Sequence, residues 1–169
     1  TAVTMLVLRT LPVVARTENW RFGAWGGTQG YPTTMSFFDG RAGFANTEGQ
    51  PNTLWMSQSG DLENMRPDSF VGGAVTVEDD DAISSTLQST KINPIFWLSG
   101  QRYLMAGTAG GEWVIKSSQA VVTPSDLSAK QHAAVPCSAL SPIEINQTTL
   151  FADRAQRKVH DLGFSLEED

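Results

Sequence analysis

The chain has 169 residues, 40% hydrophobic and 18% charged, with eight Phe and five Trp, which suits one globular domain with a core of its own and argues against disorder. Eighteen acidic residues against twelve basic ones leave a formal charge of −6, and without a basic run there is no basis for tight binding to a phosphate backbone through counterion release. A single cysteine, Cys137, rules out an intrachain disulfide and a multi-cysteine zinc site, and reads as a small buried hydrophobe rather than a nucleophile.

Residues 1–19 read as an extended or linker segment. Their apolar opening, Ala2-Val3-Thr4-Met5-Leu6-Val7-Leu8, is cut by Arg9 and lacks a preceding basic stretch. It also falls far short of the ~20 residues of a spanning helix, so neither a membrane anchor nor a signal peptide is expected. The sequence opens on Thr1, and the expectation is that it continues a longer polypeptide. From residue 20 to 169 the reading is one structural domain. No window of eleven or more residues keeps a helical apolar period free of Gly or Pro. Strands are predicted over residues 35–38, 42–46, 53–57, 82–87, 95–98, 103–106, 112–115, 148–152 and 158–162, bounded by Gly, Asn, Asp or Pro. The fold class is all-β and antiparallel.

These strands carry a weak repeat. Ser36-Phe37-Phe38-Asp39-Gly40-Arg41-Ala42-Gly43-Phe44 with Leu54-Trp55-Met56 is one copy, and Phe96-Trp97-Leu98-Ser99 through Tyr103-Leu104-Met105-Ala106 with Glu112-Trp113-Val114 a second. A degraded third runs from Ile145 to Asp153 with Lys158-Val159-His160-Asp161-Leu162. The spacing, roughly 60 and then 50 residues, is close to the ~40–50 of one propeller blade, while closed propellers have about 4–8 blades. About three blade equivalents, part of a larger ring, are therefore expected, with uncovered faces that must be closed by further chain or by a partner. A self-contained β-sandwich is the alternative, since regular strand and turn spacing suits both.

Chemical motifs are weak. Gly107-Thr108-Ala109-Gly110-Gly111 resembles a phosphate loop only superficially, because Glu112-Trp113-Val114-Ile115 reads as a strand and not as the helix whose N-terminus would face the anion; the glycines are expected to supply positive φ in a hairpin. Glu78-Asp79-Asp80-Asp81 lacks the spacing and central Gly of a calcium loop and reads as a solvated turn. His132 and His160 have neither zinc-ligand spacing nor a nucleophile partner, and His160 and Asp161 fall on opposite faces of a strand. No Gly-x-Ser-x-Gly elbow occurs. No cofactor, metal site or catalytic residue is assigned. Trp55, Trp97 and Trp113 sit within apolar strands and are assigned to packing between sheets.

Ordered aromatic blocks carry a resemblance. They are Trp20-Arg21-Phe22-Gly23-Ala24-Trp25, Gly30-Tyr31-Pro32, Phe37-Phe38-Asp39-Gly40-Arg41, Pro51-Asn52-Thr53-Leu54-Trp55-Met56-Ser57 and Gly60-Asp61-Leu62. Further along come Asp80-Asp81-Ala82-Ile83, Ile95-Phe96-Trp97-Leu98, Ala106-Gly107-Thr108-Ala109-Gly110-Gly111-Glu112-Trp113, Leu150-Phe151 and Arg157-Lys158-Val159. In this order they resemble the tail-nozzle and head-closure hub proteins of phages and prophages.

The resemblance implies a virion structural component at the portal exit, extending the DNA channel and retaining packaged DNA until ejection. It also implies assembly in the host cytoplasm as a ring-shaped homo-oligomer of sixfold symmetry, in contact with portal, adaptor and other tail proteins. Double-stranded DNA would pass without tight binding, and no membrane is involved. Glu78, Asp79, Asp80 and Asp81, with the Glu167-Glu168-Asp169 terminus, are candidates for an acidic channel wall. The competing expectation is a glycan-binding β-module using exposed tryptophans. A glycosidase working through two carboxylates has only generic acidic residues behind it.

Overall fold

The computed structural model describes residues 23–71, 74–89 and 91–163. The segment 1–19, the block Trp20-Arg21-Phe22 and the terminus Glu167-Glu168-Asp169 lie outside the described residues. The first hairpin is set by Asp39-Gly40. β1 (Thr34–Phe38) pairs with β2 (Arg41–Ala45) down to Phe38 opposite Arg41. Both loop residues lie in the left-handed region, Asp39 at φ 48° and Gly40 at φ 67°, the turn whose twist matches that of the flanking strands. The chain continues through β3 (Thr53–Met56), a separate hairpin of β4 (Ser69–Val71) and β5 (Ala74–Thr76), and β6 (Ile83–Thr86). The first sheet has the order β1-β2-β3-β6, with the hairpin inserted between its last two strands. That insertion accounts for the longer first spacing of the sequence repeat.

A second four-stranded meander follows, β7 (Ile95–Gly100), β8 (Leu104–Thr108), β9 (Gly111–Lys116) and β10 (Ser128–Ala133), and then a three-stranded one, β11 (Ile143–Ile145), β12 (Thr148–Ala152) and β13 (Val159–Gly163). The chain is all-β with antiparallel sheets, none of them closed. Each predicted strand has its counterpart. The strands missing from the prediction are β4, β5, β10 and β11: two short strands of a hairpin, an outer strand whose Lys130, Gln131 and His132 are exposed, and a three-residue strand exposed throughout. β10 has no apolar run, and β4, β5 and β11 have three residues each, too short for an alternation that needs about four to eight residues to be read as a strand.

The sheets stack in chain order. Phe38, Leu54 and Met56 of the first sheet pack with Leu98, Leu104 and Trp113 of the second in one core. Trp97 and Met105 of the second sheet pack with Phe151 and Leu162 of the third, and with Cys137, in another. The second sheet is thus buried on both faces, which is why β8 is buried along its whole length and β9 up to Lys116. A two-sheet sandwich has one interior layer, and the described residues form two.

The layers depend on one irregularity. Ile95 and Trp97, two residues apart, would share a face of a regular strand, yet Ile95 belongs to the first core and Trp97 to the second. The pairing of β7 with β8 shifts register between them, leaving Phe96 as an extra residue. This bulge turns Trp97 over, and Phe96 packs on the same side. Close approach is secured by glycine: a Cβ at Gly100 would collide with the Phe37 carbonyl of β1, and one at Gly107 with the Trp97 indole.

Candidate functional site

Arg41 follows the Asp39-Gly40 turn directly and is 1% exposed. Its Nη1 donates to the carbonyls of Ser57 at 2.8 Å and Asp81 at 2.7 Å, and its Nη2 to that of Asp79 at 2.7 Å. The backbone of the acidic turn is therefore wrapped around a buried guanidinium, whose planar fork suits several carbonyls at once. Burial lowers the Arg41 pKa, against the fields of Asp80, Asp39 and Asp81, which favour the charged form.

Asp81 is itself fully buried. Its Oδ1 accepts from Ser69 Oγ and Gln58 Nε2, both at 2.8 Å, and its Oδ2 from the Glu78 amide at 2.9 Å. Burial by itself would raise its pKa, but these three bonds and the Arg66 charge outweigh it and hold the carboxylate below its ordinary range. This corrects the expectation for the acidic segment. Glu78, Asp79 and Asp80 are exposed, whereas Asp81 is an internal anchor and faces no channel.

A second polar group lies between the second and third sheets. Trp97, Gly107 and Glu112 are register neighbours on β7, β8 and β9. Glu112 is 2% exposed, and its Oε2 and the Trp97 Nε1 are both buried without a hydrogen-bond partner. Burial raises the Glu112 pKa, opposed by a bond to its own backbone and by His132 and His160. Phe151 lies against Trp97, with ring centroids 5.5 Å apart, and stacks on His160 at the same separation. Nearby, Ser99 Oγ donates to Glu144 Oε1 at 2.6 Å, so its 3.0 Å contact with Thr149 Oγ1 has the threonine as donor. Sequence reading missed both Arg41 and Glu112 as structural charges. The only available signal was a charged residue embedded in an apolar strand.

Chemically, this interlayer group is closed. Cys137 is buried and its thiol pKa is pushed up to about 12 by burial and the neighbouring Glu112, so it is not a thiolate at neutral pH. Among the described residues no group of three or more His, Cys, Asp or Glu is placed to hold a metal ion. His160 pairs with Phe151 and Asp161 with Leu150, consecutive positions of β13 and therefore opposite faces. The loop at 107–111 is a β8–β9 hairpin, with Thr108 opposite Gly111. Its glycines serve different ends: Gly111 takes a positive φ of 140°, while Gly107 and Gly110 leave room for Trp97 and Asn93.

Trp55, Trp97 and Trp113 are 4%, 2% and 5% exposed. Trp97 and Trp113 fill the two interlayer cores. Trp55 differs from the expectation of packing between sheets. It meets the half-buried Trp25 edge to face, with ring centroids 5.9 Å apart, and Trp25 also packs on Phe44 at 5.0 Å. Among the described residues no helix is long and apolar enough to cross a membrane. No family model and no curated protein matches the chain.

Proposed function

We propose that the chain is a structural component of a tailed-phage or prophage virion, placed in the tail nozzle or hub at the portal exit, where it extends the DNA channel and retains packaged DNA until ejection. In this reading the three meanders are successive blades of a propeller-like ring left open within one chain. The working form is a ring-shaped homo-oligomer held by portal, adaptor and other tail proteins. The observation that carries the proposal is the stack itself, three sheets in chain order with apolar residues exposed at both ends. Such a scaffold is extended by further layers, whereas an enzyme of this size concentrates polar groups in an open cleft.

The charge balance fits a conduit. A wall rich in Lys and Arg would release counterions at each phosphate and grip the duplex, while exposed Glu78, Asp79 and Asp80 repel it weakly across a screened distance. Glycan recognition by exposed tryptophans has little to rest on, because Trp55, Trp97 and Trp113 are committed to the interior. The test is composition of purified particles: mass spectrometry of density-purified virions from an induced culture should find this chain in constant ratio to the portal protein. Its recovery in the particle-free fraction alone would overturn the proposal.

A further inference from the structure

Among the described residues the third sheet is one strand short of the two four-stranded sheets before it. It lies over the second sheet strand upon strand. Glu144 of β11 bonds to Ser99 of β7, Phe151 of β12 shares a core with Trp97 of β7 and Met105 of β8, and His160 of β13 lies within electrostatic reach of Glu112 of β9. The series ends there, short of β10. On its other face β10 is covered, because Ala129, with Leu127 just before the strand, packs on the core that holds Ile83 of β6 and the adjoining Leu87. Trp113 and Ile115 face that same core, so Val114 and Lys116 face the third sheet, and their register partners Lys130 and Ser128 face it with them. Lys116 and Lys130 are exposed. They form a basic ledge beside the free edge of β13.

We infer that β13 takes a fourth strand from another protein, an extended segment whose alternate residues are acidic and rest on Lys130 and Lys116. The edge is a usable template. β13 pairs with β12 in unbroken register over its whole length and contains no proline, whereas β10, the outer edge of the second sheet, is blunted by the bulge between Gln131 and Ala133. An added strand bonds to the free backbone groups of such an edge and sends alternate side chains to opposite faces. Its inward side chains descend on the ledge. Lys116 leans on the Tyr103 ring, 5.5 Å from the centroid, and the carboxylate of the adjoining loop, Asp126, is turned back on Ser117, Ser118 and Gln119, so acidic residues of the incoming strand supply the opposite charge. Its outward side chains flank Val159, 72% exposed, and are apolar at that point. A second copy is a poor donor. Its Ile143-Glu144-Ile145 has the pattern, but Glu144 is bonded to its own Ser99. The site does not depend on where the chain works, so it stands or falls apart from the virion proposal.

The probe is a blocked peptide of about six residues, the usual length of a strand, alternating Glu and Val. It is titrated into the isotope-labelled full chain beside two controls, the same peptide with Lys for Glu and the same peptide methylated on alternate backbone amides. The Glu peptide should bind more tightly than about 1 mM, shift the amide resonances of Val159 to Gly163 and slow their hydrogen exchange. The methylated peptide, unable to complete the ladder, should not bind. Lys130→Glu, a change at an exposed side chain, should weaken the Glu peptide about fivefold or more and improve the Lys peptide; Lys130→Gln should weaken the first without improving the second. Absence of binding up to about 1 mM overturns the inference, as does binding that leaves the β13 amides unchanged or is equal in wild type and Lys130→Glu. Sedimentation velocity supplies the remaining arm: wild type that self-associates, and ceases to in Lys130→Glu, puts a second copy on this edge and overturns the assignment to another protein.

Discussion

Replacing Arg41 by Met keeps most of the buried stem and removes the fork that binds the acidic turn. Three short charge-assisted bonds disappear. The carbonyls of Ser57 and Asp81 are left in a buried setting, each at about 1–3 kcal/mol when unsatisfied, while that of Asp79, nearer the surface, recovers water. The total, about 3–5 kcal/mol, matches the usual cost of removing one member of a buried charged group. For a chain of this size it lowers the melting temperature by roughly 6–20 °C, at about 2–4 °C per kcal/mol. Arg41→Lys keeps the charge but not the planar fork and should fall between the two. Urea unfolding followed by tryptophan fluorescence measures the loss, and hydrogen exchange locates it. The Asp81 amide, bonded to Glu78 O, and the Ala82 amide, bonded to Arg66 O, should exchange faster. A Met variant within about 1 kcal/mol of wild type, with exchange unchanged at these amides, would refute the clamp.

Trp113→Ala removes a ring buried between two hydrogen-bonded sheets that cannot close over the gap, and should cost about 3–5 kcal/mol in denaturant unfolding; a loss below about 1 kcal/mol would mean that the site collapses or that the ring is not interior. Because burial raises the Glu112 pKa above its ordinary 4.5, the folded state favours the neutral acid, and wild type loses stability as pH rises from near 4.5 through the folded pKa. Glu112→Gln should therefore be more stable than wild type at pH 7 and level with it in acid, and a gap independent of pH would contradict the assignment. Asp81 has the opposite sign: its stabilisation is present above its ordinary 3.8 and lost as pH falls through the lower folded value. Asp81→Asn should destabilise at pH 7 and converge on wild type in strong acid. Cys137 should resist a thiol reagent at pH 7.5 until the chain is unfolded, and rapid native labelling would place the thiol at the surface.

Most of the fold was legible because its strands announce themselves locally. Asp39-Gly40 between two strand-like runs specifies a two-residue hairpin, and the runs at 53–57, 103–106 and 112–115 are apolar enough to be read as strands. Two things were not local. β10 pairs with β9 as an outer strand whose Lys130, Gln131 and His132 are polar and exposed, so its residues look like loop. The face on which Trp97 lies is decided by the bulge at Phe96, and nothing in Ile95-Phe96-Trp97-Leu98 marks which residue is supernumerary.

The charged residues show the same division more sharply. Four consecutive acids read as one solvated turn, yet Asp81 is inside and Glu78, Asp79 and Asp80 are outside. Its side-chain donors, Gln58 and Ser69, are 23 and 12 residues away along the chain, so no spacing rule finds them. β1 was legible as a strand, and β11, with three residues, was not. Thr34-Met35-Ser36-Phe37 and Ile143-Glu144-Ile145 alternate as half-buried strands should, and sequence alone would assign their apolar side to the chain's own core. The structure turns Ser36 and Phe38 toward the second sheet and Glu144 onto Ser99. Alternation records that one face of each strand avoids water. It does not record what covers that face, part of which in the first sheet is Trp25, packed on Phe44 beside Met35.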